Sequence, residues 1–195
     1  MQRRGFLSTA ALGVAAQPFA AQAQQSTTAD RGPVLLTVTG AVSRANRGVF
    51  DPALDQMMAK QKITFDKAHT FDFAALTALP VVTIKPTLEY DSKPHTLSGP
   101  RLLDVVKAAG GSTADATQLV LRAVDGYTVG ISIADARKYA FIVATRLDGK
   151  PIPLGGLGPL WAVYDADRYP DMAAKPVNQR FALCPWALYH IAVAG

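Results

Sequence analysis

The stretch from residue 96 to residue 133 constrains the fold more than any other part of the sequence. Its first half predicts a short helix, because Pro100 suits a first helical turn and Gly110-Gly111 suits a helix end. The apolar residues between these points recur at helical spacing: Leu102, Leu103, Val105, Val106 and Ala109. They form one stripe, so we expect the helix to pack against another element.

The second half of this stretch predicts a β-hairpin. An apolar run from Leu119 to Val124 precedes Asp125-Gly126, which is a favoured two-residue hairpin turn. Beyond the turn, apolar side chains alternate with other residues, at Tyr127, Val129, Ile131 and Ile133. The whole stretch is therefore predicted to be a short helix packed on a hairpin with one buried face.

The rest of the chain is predicted to consist of short strands and a few short helices. Runs of β-branched and apolar residues predict further strands at residues 34–40, 81–84, 141–147, 160–164 and 186–193. Helical turns are predicted at residues 51–58, 73–79 and 134–139. The 195 residues, 49% of them hydrophobic, suffice for one core. The predicted fold class is α+β, mainly β, in a single compact domain.

Residues 1–23 are predicted to be a twin-arginine signal peptide. Arg3-Arg4 is followed by Phe6-Leu7 and an alanine-rich segment, and Ala21-Gln22-Ala23 is a small-x-small cleavage site. The alternative is an ordinary secretory leader with an incidental arginine pair. The apolar part is too short for a permanent membrane span. We expect cleavage near Ala23, a periplasmic protein, a flexible tail at residues 24–33 and a domain at residues 34–195.

Charge and cysteine content exclude several kinds of partner and site. The formal net charge is +5, but the lysines and arginines are scattered, which argues against a nucleic-acid partner. His69, His95 and His190 lack metal-ligand spacing, so no metal site is predicted. Cys184 is the one cysteine, which leaves no intrachain disulfide. It is a small buried hydrophobe or, alternatively, a reactive thiol.

Seven pieces of the sequence follow one another between residues 34 and 193. They are the strand ending at Gly40, the helix before Pro80, the segments 99–106, 125–127, 147–153 and 158–164, and Trp186. This succession resembles the oxidoreductase molybdopterin-binding domain family, whose fold is that of the sulfite oxidase catalytic domain. It looks closest to the short exported members of that family. The resemblance implies mixed sheets with a few short helices, and it makes molybdopterin the cofactor to consider.

Departures from the family pattern fall where the metal would be held. Family enzymes ligate molybdenum through a cysteine just after the strand that matches residues 81–84, and this chain has Lys85-Pro86-Thr87 there. A thiolate is the soft ligand that oxomolybdenum requires, and none of these residues supplies one. Trp161 also stands where the enzymes place an arginine for oxyanions.

The resemblance places five residues as candidates for lining a remnant cofactor pocket: Lys85, Thr87, Asp125, Tyr127 and Trp161. Trp161, Tyr127 and Trp186 are walls of such a pocket or, equally, plain core. Glu89 and Asp91 form an exposed acidic loop or, alternatively, a cation site or an acid–base pair. No catalytic residue is assigned.

The predicted function is binding of a small ligand or a periplasmic protein partner in the remnant cofactor cleft. No cofactor and no sulfite oxidase activity are expected. One alternative is an active periplasmic molybdopterin-dependent oxidoreductase that binds its pterin without a cysteine ligand. A second is an accessory or sensory protein that acts through protein contact alone. The sequence therefore leaves open whether the chain is an enzyme.

Overall fold

A five-stranded mixed sheet forms the centre of the fold. The computed structural model describes residues 32–195, so the predicted signal peptide and residues 24–31 of the predicted tail lie outside the described residues. The strands, in spatial order, are β2 (His69–Phe71), β1 (Leu36–Gly40), β11 (Leu188–Val193), β5 (Gln118–Ala123) and β6 (Thr128–Ser132). β1 and β11 run parallel, whereas the other neighbouring strands run antiparallel.

Two smaller sheets complete the β-structure of the described residues. Four strands pair antiparallel in the order β3 (Val81–Ile84), β4 (Leu97–Pro100), β8 (Arg146–Leu147) and β9 (Lys150–Pro151). The other sheet is the antiparallel pair β10 (Trp161–Val163) and β7 (Ile142–Ala144). Gly99 lets β4 approach β7 closely, and a Cβ at this position would lie 2.0 Å from the Val143 carbonyl oxygen.

Short helices connect the strands. The α-helices are α1 (Gln56–Lys60), α2 (Phe73–Thr77), α3 (Leu102–Ala108), α4 (Ile133–Lys138) and α5 (Pro170–Ala173), with 3-10 helices at Ala166–Arg168 and Val177–Gln179. Asp72 caps α2, because its carboxylate accepts the Ala75 N–H. Gly110 follows α3 with a φ of +76°, a conformation that glycine adopts without strain. Among residues 32–195, no helix combines the length and the hydropathy that a membrane crossing needs.

The buried side chains follow the periodicities of the sequence. Leu102, Val105 and Val106 of α3 are fully buried, as the apolar stripe predicts. Leu119, Leu121 and Ala123 alternate along β5 and are also buried. The described residues form one compact unit with mixed sheets and short helices. The predicted class, α+β and mainly β, is therefore confirmed.

Three local predictions differ from the structure. Pro100 lies at the end of β4, where it pairs with Val81, so α3 begins two residues later than the helical signal indicates. α1 begins at Gln56, because the Asp51 carboxylate accepts the Ala53 N–H and closes a turn in place of a helix start. The predicted strand 141–147 is two strands, which separate at Thr145.

Candidate functional site

A pocket of about 370 Å³ lies where three loops meet. Four aromatic residues and two carboxylates line most of it: Tyr90, Tyr127, Phe181, Trp186, Glu89 and Asp125. Asn178, Ala182 and Cys184 complete the lining. Its volume lies within the range of small-molecule sites, and its lining combines aromatic walls with several polar groups. We call it the aromatic pocket.

The loop after β3 carries Glu89-Tyr90 to the aromatic pocket. Two carboxylates from the segment after β10 hold this loop by its backbone. The Lys85 N–H donates to Asp165 Oδ2 at 3.3 Å, and the Thr87 N–H donates to Asp167 Oδ2 at 2.7 Å. The loop therefore has a fixed origin, which limits where its two lining residues can lie.

The loop between β5 and β6 supplies a second part of the wall. The Ala123 N–H donates to the Tyr127 carbonyl at 2.9 Å, so the loop has three residues, 124–126, and not the predicted two. The Asp125 carboxylate accepts the Tyr127 N–H at 2.9 Å, and the Tyr127 hydroxyl donates to the Ala182 carbonyl at 2.7 Å. These bonds fix Tyr127 although 49% of its surface remains exposed.

Trp161 lies behind the pocket lining, in the core. It is 1% exposed, and its indole N–H donates to the Cys184 carbonyl at 2.9 Å. Its ring centroid lies 6.1 Å from that of Phe181 and 6.5 Å from that of Tyr90. Trp161 therefore supports two lining rings but does not itself line the aromatic pocket.

The aromatic pocket has an acidic lining. In the described part of the chain, no lysine, arginine or histidine lines it, and neither Glu89 nor Asp125 takes part in an ion pair. Burial, followed by the charge of Glu89, raises the pKa of Tyr90 to about 12. Burial also raises the pKa of the Cys184 thiol well above its usual value. Both groups are protonated near neutral pH, so the alternative of a reactive Cys184 thiol loses its support.

The residues present do not fit an oxomolybdenum cofactor. The resemblance places the molybdenum ligand at Lys85-Pro86-Thr87, which offers no thiolate, and Cys184 is protonated. Backbone N–H groups of that segment, which an anionic cofactor would need, already donate to Asp165 and Asp167. Within residues 32–195, no cluster of three His, Cys, Asp or Glu residues is suited to hold a metal ion.

The structure brings two of the five candidate residues, Asp125 and Tyr127, to the aromatic pocket. Lys85 and Thr87 lie at the start of the loop that supplies Glu89-Tyr90, but they are not part of the lining. Trp161 belongs to the core. The five candidate residues are thus divided between the lining of this pocket, the origin of one of its loops and the core.

Four lining residues were not predicted: Tyr90, Asn178, Phe181 and Ala182. Asn178 lies in the 3-10 helix Val177–Gln179, in a part of the sequence without apolar periodicity. Tyr90 follows Glu89 directly, and a large ring in a polar loop was an available signal for it.

His95 bridges two loops through two carboxylates outside the aromatic pocket. Its Nδ1 lies 2.7 Å from Asp148 Oδ2, and its Nε2 lies 2.9 Å from Asp91 Oδ2. These hydrogen bonds, that to Asp148 first, raise the pKa of His95. Asp91 therefore belongs to this bridge, while its sequence neighbour Glu89 belongs to the pocket.

We expect an NMR titration to place the pKa of His95 above its usual value of 6.5, and Asp148→Asn to lower it. Because folding raises this pKa, the bridge stabilises the fold fully below about pH 6.5 and loses its effect as the pH rises through the folded value. Asp66→Asn, at an exposed carboxylate outside the bridge, is the control and should leave the titration unchanged. A His95 pKa at or below 6.5 in the unaltered protein would contradict the bridge.

Comparisons with known proteins find a similarity in structure but none in sequence. No family model matches the sequence, and no curated protein matches it. Among solved structures, the chain is similar to the sulfane dehydrogenase SoxCD from Paracoccus pantotrophus, with a TM-score of 0.52 and 10% sequence identity. The similarity covers 82% of this chain and 37% of that chain, so the match extends over well under half of the dehydrogenase chain's length. At this identity the likeness shows a shared fold and nothing finer.

Proposed function

We propose that this chain is an exported ligand-binding protein with a sulfite oxidase-type fold, which binds a small molecule in the aromatic pocket and does not carry out sulfite oxidase chemistry. The observation that carries the proposal is the pocket itself. Three loops that are distant in the sequence converge on about 370 Å³ lined by aromatic rings and carboxylates.

The fold assignment joins two observations. The sequence resemblance is to the oxidoreductase molybdopterin-binding domain family, and the structural likeness is to a sulfane dehydrogenase. Both relate the scaffold to oxidoreductases. The reaction does not follow from the scaffold, because function resides in the site residues that a fold carries.

The absence of a thiolate argues for a binding role in place of a redox role. Asp165 and Asp167 hold the loop at the family's metal position, so that loop is fixed without a metal. Asp165 is itself only 8% exposed, which makes it an internal anchor of the fold. We infer that the scaffold has kept a cleft beside this loop while its side chains no longer suit the cofactor.

Export is the part of the proposal that rests on the leader sequence. Arg3-Arg4, the alanine-rich segment and the small residues up to Ala23 support a twin-arginine route and a periplasmic location. A ligand met in that compartment would be a small solute or a partner molecule of the periplasm.

The test is to express the full chain in a bacterium that makes molybdopterin and to purify it from the periplasmic fraction. We expect far less than one molybdenum per chain and no pterin fluorescence. A small-molecule library should then contain compounds that stabilise the protein, by about 2.7 kcal/mol when the ligand is at one hundred times its Kd. Tyr127→Ala should abolish that stabilisation, whereas Tyr127→Phe, which keeps the ring, should retain most of it.

The outcomes separate the proposal from its alternatives. One molybdenum per chain with bound pterin would contradict it and support the oxidoreductase. A metal-free protein that no small molecule stabilises would contradict it in favour of an accessory protein acting through protein contact. Recovery of the chain only from the cytoplasm would contradict export.

A further inference from the structure

We propose that the aromatic pocket selects a small organic cation, an alkylammonium or quaternary ammonium group. This inference rests on the proposed ligand-binding function and names the chemical class of its ligand. It follows from the charge, the ring content and the metal-binding capacity of the lining.

The charge of the lining is negative and locally uncompensated. Glu89 and Asp125 line the aromatic pocket, and neither has a cationic partner among residues 32–195, although six ion pairs form elsewhere in that part of the chain. The chain as a whole has a net charge of +5, so the sign of the lining is opposite to that of the whole chain. A cation entering it would gain attraction from two carboxylates, while sulfite, phosphate or another anion would be repelled.

The rings of the lining are suited to the same ligand. Tyr90 and Tyr127 are about half exposed, at 54% and 49%, and Trp186 and Phe181 complete an aromatic wall. The face of an aromatic ring is electronegative and attracts an organic cation, most strongly where water is partly excluded. The Tyr127 hydroxyl is bound to the Ala182 carbonyl, so this ring is already held in place before a ligand arrives.

A metal ion is a poorer occupant of this pocket. The lining has two carboxylates, whereas Ca²⁺ takes six to eight oxygen ligands. No cluster of three potential metal ligands occurs in the described residues. Aromatic walls also cannot replace the waters that a small hard cation would lose, whereas a quaternary ammonium group has no N–H to hydrate and gains from contact with rings.

The experiment is isothermal titration of the full chain with choline, tetramethylammonium and methylammonium chlorides, beside the neutral tert-butyl analogue of choline. We expect at least one cation to bind, and the neutral analogue to bind at least about tenfold more weakly than choline. Glu89→Gln and Asp125→Asn should each weaken cation binding by about tenfold and leave the neutral analogue unaffected. Asp66→Asn controls for net charge, because this exposed carboxylate lies outside the aromatic pocket.

Several results would overturn the inference without touching the proposed function. One is equal binding of choline and its neutral analogue, and another is a cation affinity that stays the same in both Glu89→Gln and Asp125→Asn. The others are tighter binding of calcium than of all three ammonium ions, and a set of library ligands that are exclusively neutral or anionic. In each case the pocket would still be a ligand site. If no compound of any charge stabilises the protein, the proposed function itself fails.

Discussion

Replacing Gly99 with alanine is expected to lower the free energy of unfolding by about 3 kcal/mol or more, or to prevent folding altogether. The added Cβ would lie 2.0 Å from the Val143 carbonyl oxygen and 2.9 Å from the Ala144 Cα. Both atoms are backbone of β7, which pairs with β10 in the middle of the core, so they cannot move as a side chain would. Relief of the clash requires β4 and β7 to separate.

Gly130→Ala is the matched control, because Gly130 also lies in a strand, β6, and its Cβ would meet no atom within 4 Å. We expect this variant to stay within about 1 kcal/mol of the unaltered protein. Urea unfolding followed by circular dichroism measures both variants on the same scale. Equal stability of the two variants would show that β4 and β7 are not in close backbone contact.

The elements that depend on local periodicity were predictable from the sequence. The stripe of α3 and the alternation of β5 both specify which face is buried, and the structure buries those faces. Asp148-Gly149, a dipeptide that favours two-residue hairpin turns, forms such a turn between β8 and β9, with positive φ at both residues. In each case the residues that decide the conformation are neighbours in the sequence.

Errors arose where a distant segment decides the conformation. Asp125-Gly126 has the same turn sequence as Asp148-Gly149, but its loop is longer because the Val124 N–H donates to the Ala187 carbonyl. Pro100 carries a helix-start signal, yet strand pairing with Val81 places it in β4. Neither of these contacts, with Ala187 or with Val81, can be inferred from a short stretch of sequence around the turn or the proline.

The candidate site was predictable only in part for the same reason. Asp125 and Tyr127 were reached because the resemblance points to their loop, whereas Phe181 and Asn178 lie in a segment without periodic pattern. A pocket formed by loops about 35 and 50 residues apart has no local signature. The sequence also left the place of Trp161 open, because an aromatic residue in a strand is compatible with either the core or a pocket wall. Its 1% exposure in the structure assigns it to the core.

Acidification from pH 7 to pH 4.5 is expected to destabilise the fold by about 2 to 3 kcal/mol through His190. This residue is 1% exposed in β11, and its Nε2 lies 2.9 Å from the Thr39 hydroxyl. Arg122 Nη1 lies 3.3 Å from Nδ1 and can only donate, so Nδ1 is the unprotonated nitrogen. Burial, followed by the Arg122 charge, lowers the pKa of His190 from its usual 6.5 to about 4.

The sign of the effect follows from the proton balance. Between about pH 6.5 and pH 4 the unfolded chain protonates His190 and the folded chain does not, so the unfolded state binds the extra proton and stability falls as the pH falls. The His95 bridge does not produce this slope, because its contribution is complete below about pH 6.5. Carboxylates with lowered pKa values, such as Asp55, lose their contribution chiefly below their usual value of 3.8.

The variant His190→Gln separates the contribution of His190 to the pH dependence of stability from the contributions of the other ionisable groups. The Gln amide can still donate to the Thr39 hydroxyl, but it does not titrate. The variant is expected to be less stable than the unaltered protein at pH 7, since the smaller side chain packs less well in the sheet. Its free energy of unfolding should nevertheless be nearly constant between pH 6.5 and pH 4.5. Urea unfolding at half-unit steps of pH measures both slopes, and parallel slopes would assign the acid sensitivity to another group.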